Sequence, residues 1–360
     1  MSEPTGTART EPRLIVHAAP FLRQGVTTPG LMGDVLLALV PVLAFSVWNF
    51  GLPALAVVAS ATLGAAGTEW LAGRGARRRG AGNTLADLGT LGDRSAWLTG
   101  VLLGLTLPPG LPLWMAFLGG VAAIGLGKLI WGGLGDNLFN PALVGRAFLQ
   151  AAFPIAITTW VAPGGRWSLL PGQLAWPLMS PKLAAASAAA ADVVTTATPL
   201  NQMKFAGQEA PLGDLFLGGI AGSAGETSAL VILAAGLFLA ARRAFDWRIP
   251  VSILATVAAF AGVLHLVAPE RFASPGFMLL SGGLLFGAVF MATDPVTSPL
   301  APRGAWIFGF GVGFLVVLIR VWGGLPEGVM YAILLMNAAT PLIERVTQPR
   351  AFGHARRKPA

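Results

Sequence analysis

The sequence predicts an all-α integral membrane protein of about ten transmembrane helices. Three observations carry that prediction: an apolar composition, ten apolar runs, and a one-sided distribution of basic residues. Of 360 residues, 54% are hydrophobic and 11% are charged, whereas a soluble domain averages roughly 25% charged. The 47 glycines suit close approach of helix backbones in a bilayer. A formal net charge of +8 can signal nucleic acid. Here the basic residues follow membrane topology instead, so the expected surroundings are lipid and no nucleic-acid partner is expected.

Met1 to Gly30 is polar and rich in Pro, Thr and Arg, without the apolar run of a signal peptide. A span needs ~20 mostly apolar residues. The candidates are roughly 32–50, 52–72, 96–108, 111–131, 138–157, 215–241, 249–268, 276–293, 305–323 and 326–343. The third is short and ends at Thr106-Leu107-Pro108-Pro109-Gly110, a helix-breaking run. The sixth opens with a glycine-rich run, Gly218 to Gly225, which predicts a broken outer half.

With the N-terminus in the cytoplasm and ten spans, the inside segments hold Arg9, Arg13, Arg23, Arg74, Arg77, Arg78, Arg79 and Arg94. They also hold Arg242, Arg243, Arg248, Arg303, Arg345, Arg350, Arg356, Arg357 and Lys358. Outside lie only Arg166, Lys182, Lys204 and Arg271. The imbalance fits the positive-inside rule with both termini cytoplasmic. The expected organisation is a cytoplasmic segment 1–30, a first five-helix unit 31–157 and an external segment 158–214. A second unit, 215–345, and a basic cytoplasmic tail, 346–360, follow. A sequence echo supports the division: Thr99-Gly100-Val101-Leu102-Leu103-Gly104 in span three resembles Ser281-Gly282-Gly283-Leu284-Leu285-Phe286-Gly287 in span eight. Five being odd, the second unit would be inverted, and inverted repeats place sites at their interface. Chance similarity between glycine-rich helices is the alternative.

No cysteine is present, and the three histidines, His17, His265 and His354, are far apart. Cysteine-ligated iron–sulfur clusters, thiolate zinc and disulfides are thereby excluded. Two constellations can carry chemistry. The first is Asp192-Val193-Val194-Thr195-Thr196-Ala197-Thr198-Pro199-Leu200 in the external segment. Small and hydroxyl residues let a phosphate approach backbone N–H groups, and a threonine hydroxyl can form a phosphoester. Such a cluster before proline is also an ordinary turn. The second is Gly132 to Arg146, with Asn137 and Asn140 on one helical face, three residues apart. Their amides could read the polar edge of a ring, or one of them could simply cap span five. Among charges within spans, Glu69 and Arg320 lie near span ends, where snorkelling is expected. Arg146 and Glu226 lie deeper, where a charge is costly and often functional.

The stretch Asn137-Leu138-Phe139-Asn140-Pro141-Ala142-Leu143-Val144-Gly145-Arg146-Ala147-Phe148 resembles the RnfD component of the Rnf electron-transport complex. It is also similar to the related NqrB component of the sodium-translocating NADH:quinone reductase. Further matches follow in order: Thr99 to Pro109, Asp192 to Leu200, Gly222 to Ala229, and Glu327 to Gly353. The short N-terminus and Thr347-Gln348-Pro349-Arg350-Ala351-Phe352-Gly353 favour the Rnf component.

The resemblance implies FMN held by a phosphoester to Thr198, the threonine ending the family's Ser-Gly-Ala-Thr motif. Here Thr195 and Thr196 replace Ser-Gly, while Asp192, Ala197 and Thr198 match. It implies a noncovalent riboflavin beside Asn137 and Asn140, and a fold like a urea channel of two inverted five-helix repeats. It also implies a bacterial inner-membrane protein with its flavin segment on the outer face. The function implied is a flavoprotein electron carrier within a translocase complex that couples ferredoxin–NAD electron transfer to sodium or proton movement. Its partners would be the other Rnf subunits, including iron–sulfur and second FMN-bearing ones. The alternatives are the quinone reductase component, or a solute channel or transporter of similar architecture.

Overall fold

The computed structural model describes residues 27–78, 91–164, 167–175 and 197–348. Its elements are helical, and no strand occurs among the described residues. Thr27 caps α1 (Thr28–Phe50) by accepting from the Gly30 N–H, and Gly51 with φ 76° ends it. That single left-handed residue is the whole connection to α2 (Leu52–Arg78). There follow α3 (Ser95–Thr106), α4 (Leu113–Gly127), α5 (Pro141–Ala152) and α6 (Pro154–Thr158). Further along come α7 (Pro199–Ala206), α8 (Leu212–Leu217), α9 (Ala229–Ala241) and α10 (Arg248–Val267). Next are α11 (Pro275–Leu280) and α12 (Leu284–Phe286), which runs on into a π-helical turn, Gly287–Met291. The long helices α13 (Pro302–Trp322) and α14 (Val329–Thr347) complete the fold.

Six of these stretches are long and apolar enough to cross a membrane: α1, α2 to Arg74, α4 extended to Trp131, α10, α13 and α14. The protein is a multi-pass membrane protein. All ten expected spans coincide with helical segments, but four are short or interrupted. Helices α3, α5 and α9 have 12, 12 and 13 residues. The eighth span breaks at Ser281–Gly283 between α11 and α12. At 1.5 Å rise per residue, roughly 18 Å of helix cannot cross a ~30 Å hydrocarbon layer. These helices therefore end inside the protein, where other segments satisfy their backbone. Gly225 N–H donates to Leu105 O at 2.7 Å and Ala224 N–H to Leu107 O at 3.1 Å. The glycine-rich run before α9 thus closes the open end of α3.

Glycines set how closely the helices approach. A Cβ at Gly64 or Gly120 would strike backbone between α2 and α4, and one at Gly100 or Gly104 would strike α2 from α3. Gly309 and Gly313 play the same part between α10 and α13. The pairings α2–α4 and α4–α5 recur as α10–α13 and α13–α14. Two of the basic residues that the sequence assigns to one side meet the same end of the bundle, where α1 begins. Arg242 bonds Asp34 at 2.7 Å, and Arg94 donates to Pro29 O. Helix α7 lies at the other end.

Candidate functional site

Two cavities open from opposite ends of the bundle, and between them they are lined by Thr198, Asn137 and Asn140. The first is a cleft lined in part by Arg146, Gln150, Thr198, Glu226, Glu327 and Tyr331. Thr198 is the N-cap of α7, and its hydroxyl accepts from the Asn201 N–H at 3.3 Å. Its side chain is half-buried at the cleft wall, and Ala197 before it is exposed. Asp192, Thr195 and Thr196 lie outside the described residues.

Beneath Thr198 sits a charge cluster. Arg146 projects from the buried face of α5 and reaches Glu226 at 3.1 Å and Glu327 at 3.3 Å. Glu226 comes from the glycine-rich run, just before Ser228 caps α9. Glu327 comes from the turn between α13 and α14 and accepts from the Gly283 N–H. Gly283 has no Cβ, and one there would collide with both carboxylates. The break in span eight is thus what lets two acids share one guanidinium. Sequence reasoning singles out Arg146 and Glu226 but not Glu327, which stands at the very start of the tenth expected span, 326–343.

The carboxyl end of α7 is anchored as firmly as its start. The Lys204 ammonium donates to Arg320 O at 3.2 Å, to Leu325 O at 2.9 Å and to Gly323 O. These carbonyls close α13, where a cation also meets the negative end of the helix dipole. Burial lowers the Lys204 pKa below the ordinary lysine value.

The second cavity is lined at its polar side by Ser95, Lys128, Asn137, Asn140, Thr293 and Asp294. Asn140 caps α5, its Oδ1 accepting from Ala142 and Leu143 N–H, while its Nδ2 donates to Met291 O at 3.2 Å. It therefore fulfils the capping alternative and ties the first unit to the π-helical turn of the second. Asn137 accepts from Gly135 N–H and donates to Phe139 O, both at 3.3 Å. Each amide nitrogen carries two hydrogens, so each retains one that these bonds do not use.

Glu69 and Arg320 depart from the snorkelling expectation. Glu69 is 0% exposed and bonds Lys128 at 2.8 Å. Lys128, itself buried, also donates to Ser95 Oγ at 2.6 Å and approaches Asp93 at 3.5 Å. Arg320 is 5% exposed and donates to Met278 O at 2.6 Å and Ser281 O at 2.9 Å, the open carbonyls at the end of α11. In both cases a partner inside the protein wins over the interface, because an unpaired charge in the bundle is costlier than a paired one. The available signal is Lys128 itself, a cation within a span that needs an acid nearby.

The residues of the first cavity fit a phosphate-linked group. Thr198 is half-buried at the cleft wall and α7 presents first-turn N–H groups there, while the Arg146 charge in the same cleft is offset by Glu226 and Glu327. Those of the second fit a neutral polar ring, with two amide hydrogens to spare and apolar neighbours such as Leu102, Val289 and Phe290. Within the described residues no group of His, Asp and Glu is arranged to hold a metal ion.

The model of the NQR2, RnfD, RnfE family matches residues 15–353. The RnfD-type component of the ion-translocating oxidoreductase complex of Stutzerimonas stutzeri is 43% identical, over 91% of this chain and 93% of its own length. The corresponding component of the proton-translocating ferredoxin:NAD(+) oxidoreductase complex of Clostridium ljungdahlii is 40% identical, over 95% of this chain and 96% of its own. That of the Na(+)-translocating ferredoxin:NAD(+) oxidoreductase complex of Acetobacterium woodii is 39% identical, over 95% and 96%. A match along nearly the whole chain, through both cavities and the helices that build them, makes this protein a member of the NQR2, RnfD, RnfE family.

Proposed function

We propose that the chain is the flavin-carrying membrane subunit of an ion-translocating ferredoxin–NAD oxidoreductase complex, in which it passes electrons across the membrane. It is one part of a translocase and not a complete enzyme. The observation that carries the reading is the position of Thr198, whose hydroxyl stands at the wall of a charged cleft on a helix fastened at both ends. Family membership and the names of the relatives support the same complex.

In this reading FMN is joined to Thr198 by a phosphoester, with Asp192, Thr195, Thr196 and Ala197 the motif residues that precede it in sequence. The flavin would supply one- and two-electron redox chemistry, and the protein sets its position and electrostatics. The N–H groups that open α7 stabilise the phosphate charge. Arg146 offers N–H donors to the cleft, held in place by the Glu226 and Glu327 carboxylates, which offset its charge. Asn137 and Asn140 border the second cavity, where a noncovalent riboflavin would continue the path toward the opposite face. The Thr198 end faces outward and both termini face the cytoplasm of a bacterial cell. Other subunits bring the iron–sulfur clusters that a cysteine-free chain cannot hold, and a second FMN.

The test is in-gel flavin fluorescence of the denatured subunit, produced together with the flavin-attaching enzyme. A fluorescent band is expected for the unaltered chain and none for Thr198→Ala, with Thr198→Ser partly restoring it. Absence of fluorescence in the unaltered chain, with attachment confirmed on a control substrate, removes the covalent flavin.

A further inference from the structure

Helix α7 is a wall between two cavities. Thr198 and Asn201 line the charged cleft, whereas Met203 and Lys204 line a third cavity behind it, and Leu200 borders both. This third cavity lies where α10 and α13 reach their carboxyl ends, the level of one membrane surface. Its cations are Lys204, Arg271 and Arg320, and none of the residues lining it is acidic. Leu264, Phe272, Phe277 and Trp322 make its walls apolar.

The charge in this cavity is not cancelled from within. Lys204 and Arg320 spend their donors on backbone carbonyls, which satisfies hydrogen bonds; Glu327 and Glu226 act on Arg320 from outside the lining, so the charge without a nearby acid is that of Lys204 and Arg271. Arg320 Nε is buried with no partner among the described residues. Arg271 is exposed, its guanidinium 5.5 Å from the Phe272 ring, and it forms no ion pair among the described residues. The neighbouring acids are committed elsewhere or lie outside the lining. Glu209 accepts from Ser274 N–H and Oγ, Glu327 is held by Arg146 and Gly283, and Glu270 does not line the cavity. Three cations over an apolar floor at a membrane surface match an amphiphile with an anionic head, because phosphate takes charge-assisted bonds from arginine and an acyl chain takes the apolar wall. Trp322, 56% exposed at the end of its span, belongs to the aromatic belt that marks the headgroup level.

We propose that this cavity binds one anionic membrane phospholipid, with Arg271 as the arm that closes on its phosphate and with Leu264, Phe272 and Trp322 against the first part of an acyl chain. The lipid would sit directly behind the helix that carries Thr198. The site does not depend on the flavin reading.

The experiment uses the full chain reconstituted in equal parts phosphatidylcholine and phosphatidylglycerol, then stripped by detergent exchange. Retained lipid is counted by native mass spectrometry. One phosphatidylglycerol is expected on the unaltered protein. Arg271→Gln, at an exposed position that leaves the core intact, should hold it about 10- to 100-fold more weakly, as expected for loss of a charge-assisted contact. Arg242→Gln, at the opposite end and paired with Asp34, should hold it unchanged. Equal retention by Arg271→Gln, or equal retention of phosphatidylcholine, overturns the proposal in favour of nonspecific lipid packing. Binding of inorganic phosphate alone, as tight as that of the lipid and equally sensitive to Arg271→Gln, would replace it with a simple phosphate site.

Discussion

Arg146 shows what a single side chain decides in this protein. Its guanidinium serves two carboxylates, so Arg146→Met leaves both without their cation. Removing one partner of a buried ion pair costs roughly 3–5 kcal/mol, and the partial exposure of Glu327 places the expected loss near the lower figure. Thermal unfolding in detergent should show a clear drop in midpoint, and an unchanged midpoint would sink the assignment. Arg146→Lys should recover only part, since an ammonium lacks the planar fork that spans two acceptors. Asn140 allows a finer separation. Asn140→Asp keeps the cap on α5 but loses the donor to Met291 O, whereas Asn140→Ala loses both. With a cap worth about 1 kcal/mol, the Ala variant should melt lowest and the Asp variant between it and the parent. At this scale the sequence is legible where a residue type has few roles. Asn137 or Asn140 beside Pro141 offers a cap, Arg146 and Glu226 stand out as costly charges, and Lys128 as a cation within a span. Glu327 is not legible, because its partner lies 181 residues away and only the fold brings the two together.

Helix length is where the elements depart from a count of apolar runs. Hydropathy finds ten spans, because composition cannot distinguish a helix that crosses the bilayer from one that ends within the protein. The breaks themselves are written in the chain, as Pro108-Pro109-Gly110 and as Gly218 to Gly225. What the sequence does not state is that the second break closes the first. That junction predicts a steric outcome. A Cβ at Gly225 would lie 2.8 Å from Leu105 Cβ, so Gly225→Val should destabilise by about 1–3 kcal/mol, the usual range for overpacking. Gly222, which has open space around a built Cβ, should accept Ala with little change. Equal melting of the two variants would contradict the close junction. Helix α7 makes the same point about anchoring. Lys204→Met removes three donor contacts to the end of α13. Because Lys204 is partly exposed and water can replace some of these bonds, a loss of about 1 kcal/mol is expected. Flavin should still be attached at Thr198, with a shifted reduction potential in a redox titration. An unchanged potential would show that α7 does not need this anchor.

At the scale of the whole molecule, the repeated pairing of α2–α4–α5 and α10–α13–α14 gives two cavities at opposite ends with no shared lining residue. The first unit supplies Arg146 to one cavity from α5, and Asn140, the cap of that same helix, to the other. One helix therefore reports to both ends of the path, and a change in its tilt is felt at both. The sequence echo between spans three and eight hints at two related units. It does not show that the units interpenetrate, since such contacts leave no periodic mark on a chain.

The closure of α3 by residues 224 and 225 has a consequence for biogenesis. Translation completes α3 long before its capping amides emerge. Until then, the nascent protein holds a half-length helix whose terminal carbonyls lack their partners in or near lipid, a costly state. The amino-terminal half should therefore be protease-sensitive when made alone and become resistant when the carboxyl-terminal half is co-expressed. Assembly of the two halves is then a maturation step in its own right, and a place where insertion machinery or a partner subunit can hold the unfinished protein.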